Sequence, residues 1–272
     1  MRKIALEENR KYQIDILDAI DAYCMEKGLR YFLIAGTLLG AVRHQGYIPW
    51  DDDIDIVMLR GDYETFVREF NVDGYYVVAP EINTEGYYLP YAKICMNNTL
   101  VVEATKTMTA KLGINVDLFP IDKVPDDNEK RKKQLDRIKK YRSILDVIDT
   151  PVSPNRSWYR NVLLSILQIV LFTFSPQNAV SKIVMLSKMY NNEKSSLCGE
   201  IAWGCGEKEI VSREVFSDIE KLNFEGKLYN CPKGWDEWLS KRYGAYMKLP
   251  PLEQQKSHHE CNAYILNEEK QL

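Results

Sequence analysis

Ile48-Pro49-Trp50-Asp51-Asp52-Asp53-Ile54-Asp55-Ile56-Val57 places four carboxylates within five residues and then turns wholly apolar. From Asp53 onward the alternation of Asp and Ile has the period of a half-buried strand. On such a strand Asp53 and Asp55 point to one face, about 6.6 Å apart along the axis, while Ile54 and Ile56 point into a core. Two ionised carboxylates on one face repel each other, and partial burial raises the cost. A bound divalent cation removes both objections, and hard oxygen ligands favour magnesium, manganese or calcium over zinc. The plain alternative is a solvated acidic loop, against which the apolar continuation argues.

The surrounding chain of 272 residues is long enough for one large domain or two lobes. Its 45% hydrophobic and 28% charged content is ordinary for a folded soluble protein. A net charge of −3 gives no support for nucleic acid as a partner. The start, Met1 to Glu8, lacks the apolar core of a signal peptide, and no apolar run is long enough to span a bilayer. Cysteines 24, 95, 198, 205, 231 and 261 form no Cys-x-x-Cys pair and read as reduced thiols, mostly packing residues. These features predict a cytoplasmic protein.

Upstream of the acidic stretch, residues 4–27 read as a helix closed by Gly28, followed by a buried strand at Arg30–Ala35. That strand runs into Gly36-Thr37-Leu38-Leu39-Gly40, where a turn into a helix N-terminus suits a phosphate; a simple glycine turn is the alternative. There is no Gly-x-Gly-x-x-Gly and no P-loop. Arg43 and His44 either reach a phosphate or lie on the surface. Downstream, Asp62 is a candidate N-cap for a helix burying Tyr63, Phe66, Val67 and Phe70. Tyr75–Pro80, Tyr87–Met96 and Leu100–Ala104 read as pairing strands. Lys93 is either an edge-strand charge or a phosphate ligand. In Gly113-Ile114-Asn115-Val116-Asp117-Leu118-Phe119-Pro120 the period-2 pattern buries Ile114, Val116 and Leu118 and sets Asp117 on the opposite face. A third strand carboxylate can complete a metal site or accept a proton from an attacking hydroxyl.

Gly-Thr-Leu-Leu-Gly-Ala-Val-Arg-His-x-Gly-Tyr-Ile-Pro-Trp-Asp-Asp-Asp-Ile-Asp-Ile, followed by Val-Asp-Leu-Phe-Pro-Ile-Asp, resembles the LicD family, which includes bacterial phosphocholine transferases and is related to fukutin and fukutin-related protein. The resemblance is dense over residues 29–125 and returns at Trp203-Gly204, Phe224-Glu225-Gly226 and Tyr243–Pro251. It implies an α/β (α+β) fold, a nucleotidyltransferase-like short mixed sheet flanked by helices, with a helical C-terminal portion. It carries the metal carboxylates onto Asp53, Asp55 and Asp117, with Asp51 adjoining, and the nucleotide-phosphate turn onto Gly36-Thr37. It sets the Trp203 turn near the donor pocket. It also implies transfer of a phospho-alcohol such as phosphocholine or phosphoribitol from a CDP-activated donor to a sugar hydroxyl.

The rest of the chain is less informative. Asp126-Asp127-Asn128 caps a charged helix running from Glu129 to about Asp146, and Thr150–Asn155 is the clearest linker. Val162–Phe174 holds no charge. It reads first as a buried helix; an interfacial helix touching a membrane over 158–174, edged by Trp158, Tyr159 and Arg160, is the alternative. A helix follows over Ala179–Tyr190, and Pro232 is a candidate first residue for a helix presenting Trp235, Trp238, Leu239 and Tyr243. His258-His259-Glu260-Cys261 lacks the matching cysteine pair of a zinc site; phosphate binding or a surface role fits it better.

The expected whole is a catalytic core over 1–125 and a mainly helical portion over 126–272 that completes donor and acceptor sites. The expected activity is a metal-dependent phosphotransferase using Mg2+ or Mn2+. Asp51, Asp53, Asp55 and Asp117 would hold metal, with Asp53, Asp55 and Asp117 catalytic, and Asp117 also the general base. Gly36, Thr37, Arg43, Lys93 and Trp203 would bind the donor. The donor would be a CDP-activated alcohol, CDP-choline first. The acceptor would be a glycan or lipid-linked glycan of lipopolysaccharide, capsule or teichoic acid, met at the inner face of a bacterial plasma membrane. Transfer of a nucleoside monophosphate with release of pyrophosphate, Asp-x-Asp glycosyl transfer and plain cation binding are the rivals.

Overall fold

A computed structural model describes residues 1–102, 108–154, 156–256 and 262–266. The elements in chain order are β1 (Arg2–Lys3), α1 (Leu6–Lys27), β2 (Tyr31–Leu33), α2 (Ala35–His44), β3 (Asp55–Leu59), α3 (Arg60–Glu69), β4 (Tyr75–Val78), β5 (Ala92–Met96), β6 (Thr99–Val102) and β7 (Asn115–Val124). They continue with α4 (Asn128–Asp149), α5 (Trp158–Val170), α6 (Pro176–Ser187), β8 (Leu197–Gly199), β9 (Ile210–Ser212), β10 (Ile219–Phe224), β11 (Lys227–Pro232), α7 (Trp235–Tyr243) and β12 (Asn262–Ile265).

The alternating residues around β7 make it the spine of a mixed sheet ordered β2-β3-β7-β5-β4. Only β3 and β7 run parallel, with Asp55 opposite Asp117 and Val57 opposite Phe119. Ten residues long, β7 outlasts its neighbour β5, and its Asp122–Val124 end pairs with β8, which pairs in turn with β9. Ile54, Ile56, Ile114, Val116 and Leu118 are all buried, as the period-2 reading requires. Helices α1 and α3 share one side of the sheet, where the Tyr23 ring meets Phe66 and Phe70 edge-on at 5.6 and 5.0 Å. The same core takes in Val215, Phe224, Tyr229, Trp238 and Leu239 from the C-terminal half. A second core lies between α4 and α6, around Ile138, Leu145, Val180, Ile183 and Leu186. The fold is thus mixed α/β, as the sequence pattern and the resemblance predict.

Several local expectations give way. The strand after the acidic stretch starts at Asp55, so Asp53 lies in the loop that feeds it. Asp62 does not cap α3: the helix begins at Arg60, and the Asp62 carboxylate accepts the Arg30 N–H instead. Leu100–Val102 pairs with β12 rather than with β4 or β5, and residues 103 and 104 of that expected strand lie outside the described residues. Pro232 ends β11, two residues short of the Gly234 N-cap of α7. The thiols of Cys24, Cys95, Cys198 and Cys231 are buried and free, each pushed up to about 12 chiefly by burial, and Cys205 is exposed. His258, His259 and Cys261 lie outside the described residues.

The largest departure is α5. Expected as core, it buries Leu164 alone and turns the rest of its large apolar side chains outward. The reason is local: Asn161 and Gln168 occupy the inner side, Asn161 bonding the carbonyl of Ser153 and Gln168 those of Val147 and Thr150.

Candidate active site

The loop before β3 is closed by its own Asp51 N–H, which donates to the Ile48 carbonyl at 2.9 Å, and is braced further by its neighbours. Arg10 on α1 donates to the carbonyls of Ile48, Pro49 and Asp51, and Gln13 donates to that of Asp52. The Tyr47 hydroxyl locks Gln13 at 2.9 Å. From the far side, Glu225 in the β10–β11 turn accepts the Tyr47 N–H at 2.9 Å. With every main-chain acceptor named here satisfied from outside, the aspartate side chains are left to converge. Ligand oxygens of Asp51, Asp52 and Asp53 lie within 4.8 Å of one another.

Asp55 and Asp117 stand side by side on the parallel strands next to this cluster. Burial first, then Asp53, Asp117 and Asp51, push the Asp55 carboxyl well above the usual carboxylate range. Burial and the charge of Asp52 raise Asp51 as well, against a hydrogen bond with Asp53 that lowers it. Lys93 stands opposite Asp117 in the β5–β7 register and donates to it at 2.6 Å and to Asn115 at 3.2 Å. It is 6% exposed on an inner strand, so the edge-strand alternative is set aside.

The Gly36-Thr37 turn abuts the same cluster. A Cβ on Gly36 would run into the Asp51 carboxylate. The Thr37 hydroxyl accepts the Asp55 N–H at 2.8 Å, tying the first turn of α2 to the start of β3. Its proton still has a donor's freedom. Ile34, at the N-cap, offers the first-turn N–H groups no side-chain acceptor. Arg43, by contrast, is spent on the main chain: it donates to the carbonyl of Tyr246 at 2.6 Å and fastens the segment after α7. Tyr243, the last residue of α7, has its phenol raised chiefly by burial, with Asp55 and Asp51 near enough to add to it.

Trp203 joins this face through aromatic contacts. Its ring lies 6.1 Å from Tyr91, which packs at 4.3 Å on Phe119 and lies 5.7 Å from the Lys93 ammonium. Arg142 of α4 sits over Trp203 at 4.8 Å. The Trp203 turn is fixed by two buried glutamates. Glu200 accepts the Trp203 N–H at 2.8 Å and Glu209 the Cys205 N–H at 3.1 Å, while Arg242 pairs with Glu209 at 3.0 Å. Burial first and then the neighbouring Glu209 push Glu200 up to about 8.

The structure therefore gathers Gly36, Thr37, Asp51, Asp53, Asp55, Lys93 and Asp117, links Trp203 to them, and sends Arg43 elsewhere. The residue reading missed Asp52, which stands with Asp51 and Asp53, and the supporting Arg10, Gln13, Tyr91, Glu200 and Glu209. Asp52 was legible as part of the acidic run; the supports act across more than thirty positions or through main-chain atoms, and no local pattern marks them. The donor set fits Mg2+ or Mn2+: it consists of hard carboxylate oxygens, and the buried Asp52 Oδ1 has no hydrogen-bond partner.

Residues 28–148 match the family model described as LicD/FKTN/FKRP, nucleotidyltransferase domain. Over 278 aligned positions, 98% of this chain and 100% of the relative, the chain is 32% identical to the lipopolysaccharide cholinephosphotransferase LicD of Haemophilus influenzae. A shorter stretch of 52 residues, 19% of this chain and 9% of the relative, is 44% identical to the ribitol 5-phosphate transferase FKRP of Homo sapiens and of Mus musculus. With its acidic loop, its Asp55–Asp117 register and a relative matched from end to end, this chain belongs to the LicD family.

Proposed function

We propose that this protein moves a phospho-alcohol, phosphocholine before phosphoribitol or phosphoglycerol, from a CDP-activated donor to a sugar hydroxyl of a cell-surface glycan precursor and releases CMP. The observation that carries the reading is the end-to-end likeness to a lipopolysaccharide cholinephosphotransferase, in a chain whose carboxylates converge beside a Gly-Thr turn. The site is placed on the cytoplasmic side of a bacterial plasma membrane, where an activated nucleotide donor and a glycan precursor meet.

In this reaction the acceptor oxygen bonds to the phosphorus next to the alcohol, the bond from that phosphorus to the CMP oxygen breaks, and CMP leaves. Asp51, Asp53, Asp55 and Asp117 hold Mg2+ or Mn2+, which supplies charge neutralisation on the pyrophosphate. Asp117, with Oδ1 on Lys93, takes the acceptor proton on Oδ2. Lys93 keeps that carboxylate oriented and adds positive charge beside the transferred group. Gly36 and Thr37 receive a phosphate at the uncapped start of α2. Trp203 and Tyr91 provide an aromatic wall for the base or for a quaternary ammonium.

Incubation with magnesium, CDP-choline and a glycan acceptor tests this: CMP should appear in step with phosphocholine on the acceptor, and hydrolysis without acceptor should be slow. The family model's nucleotidyltransferase description favours one second reading, transfer of a nucleoside monophosphate. Pyrophosphate released from a nucleoside triphosphate, with the nucleotide left on the acceptor, would install that reading instead.

A further inference from the structure

The outward face of α5 is the largest feature that the reaction does not use. At 100° per residue, Trp158, Tyr159, Val162, Leu163, Ile166, Leu167, Ile169 and Val170 fill one half of the helix circumference, and each is exposed. Trp158, Ile169 and, just beyond the helix, Phe172 are 77%, 74% and 88% exposed. Arg160, Asn161, Leu164, Ser165 and Gln168 fill the other half, and Asn161 and Gln168 bond inward to main-chain carbonyls. The helix thus presents its polar side to the protein and its apolar side to the surroundings, the reverse of a helix packed on a soluble core. A contiguous apolar surface of this kind marks a docking face.

We propose that α5 docks on an anionic lipid surface, lying in the interface with its apolar half among the acyl chains. Charge selects this occupant. No acidic side chain occurs between Thr150 and Asn192, a segment that carries Arg156, Arg160, Lys182 and Lys188. The adjoining α4 adds a net positive charge, exposing Lys130, Lys132, Lys133, Arg137, Lys139 and Lys140 against Glu129, Asp136 and Asp146. Anionic headgroups attract such a surface, whereas a two-fold contact between two copies would set like charges against each other. Trp158, Tyr159 and Arg160 at the start of the helix suit the headgroup layer, where amphipathic rings and snorkelling cations reside. Thirteen residues make a helix of about 20 Å, short of the ~30 Å of a bilayer core, and no helix among the described residues is long and apolar enough to cross. The helix therefore lies on the membrane and does not span it.

Flotation of the purified chain with vesicles tests this without reference to catalysis. The wild type should float with phosphatidylcholine vesicles containing phosphatidylglycerol. Pure phosphatidylcholine or high salt should lower the bound fraction by about tenfold. The double variant Ile166→Glu, Ile169→Glu should lose at least about tenfold in partitioning at an unchanged melting temperature, since both side chains are already exposed. Phe172→Ser serves as a milder second variant, and Arg156→Glu with Arg160→Glu should remove the preference for phosphatidylglycerol while leaving the apolar face intact. Wild type that floats with neither vesicle overturns the proposal, as does flotation that the double variant leaves unchanged. A dimer in sedimentation that the double variant turns to monomer, without vesicle binding, assigns the face to a second copy and overturns it equally.

Discussion

Strand β7 carries two aspartates, Asp117 and Asp122, five residues apart and so on opposite faces of the sheet. Each pairs with a cation on a neighbouring element: Asp117 with Lys93 at 2.6 Å, Asp122 with both ends of the Arg60 guanidinium at 2.8 and 2.6 Å. The Val116–Asp122 stretch that resembles the family contains both. Their surroundings separate them. Asp122 is fully buried, its Oδ1 takes a further bond from Asn191 at 2.6 Å, and Arg60 is completed by Glu81 at 3.2 Å. Asp122 thus accepts on both oxygens, and its partner Arg60 is tied in turn to a second carboxylate of the protein. Around Asp117 negative charge is in excess: Asp51, Asp52, Asp53 and Asp55 face the buried Lys93 and the Arg10 guanidinium beside Asp51. A network closed within the protein holds a fold; an open one with a large surplus of charge waits for a ligand.

Amide substitutions put the two faces in opposition. Asp55→Asn should lower CMP release by at least about thousandfold, roughly 4 kcal/mol of transition-state stabilisation at 1.36 kcal/mol per decade. Its melting temperature in EDTA should stay level or rise, because the amide relieves like-charge repulsion. Asp53→Asn should behave alike. Wild-type turnover by either variant in magnesium would move the reaction elsewhere. Asp122→Asn should do the reverse: a loss of about 3–5 kcal/mol in denaturant stability, from stranding a buried Arg60, with turnover per folded molecule little changed. An Asp122→Asn protein as stable as wild type would erase the distinction between the faces.

The same contrast explains what could be read in advance. Asp53, Asp55 and Asp117 announce themselves because a carboxylate repeated at period two beside buried isoleucines has no cheap solution without a ligand. Asp122 does not: its reason for being buried is Arg60, sixty-two positions upstream, and neither residue carries a local signature. Lys93 falls between, since a lone cation in a strand pattern has two readings until the strand order makes β5 internal. Helix α5 misleads for a different reason. Hydropathy reports that a segment avoids water, not which apolar surroundings receive it. Asn161, Ser165 and Gln168, recurring at intervals of four and three, were the legible sign that its apolar half faces away from the protein.

A change of shape without a change of charge sharpens the comparison on the site face. Gly36 has no room for a Cβ, because the Asp51 carboxylate fills that space. Gly36→Ala must push Asp51 aside while leaving every carboxylate in place. Turnover should fall by about a hundredfold, near 2.7 kcal/mol, since displacements of an ångström suffice for such losses. Stability should change by less than about 1 kcal/mol, because the displaced group lies in a loop. Unchanged turnover would mean that Asp51 takes no part in holding the substrate or its metal.

The glutamates beneath the Trp203 turn stand between the two extremes, buried like Asp122 yet in surplus like Asp117. Glu200 directly follows Gly199, the β8 partner of Asp122, and its carboxylate meets that of Glu209 against Gly204. Burial and Glu209 lift the Glu200 carboxyl from its ordinary 4.5 to about 8. A folded-state value above the unfolded one means that the folded protein binds the extra proton between those limits. Its contribution to stability is therefore full below about pH 4.5, declines as pH rises, and is gone above about pH 8. Glu200→Gln fixes the group in its neutral form and keeps the acceptor for the Trp203 N–H. Urea denaturation of wild type and variant should agree near pH 5 and diverge toward pH 9, the variant ending more stable by about 1–3 kcal/mol. If the two curves stay parallel across that range, Glu200 is ionised throughout, and the cations of Arg142 and Arg242 neutralise the pair as fully as Arg60 neutralises Asp122.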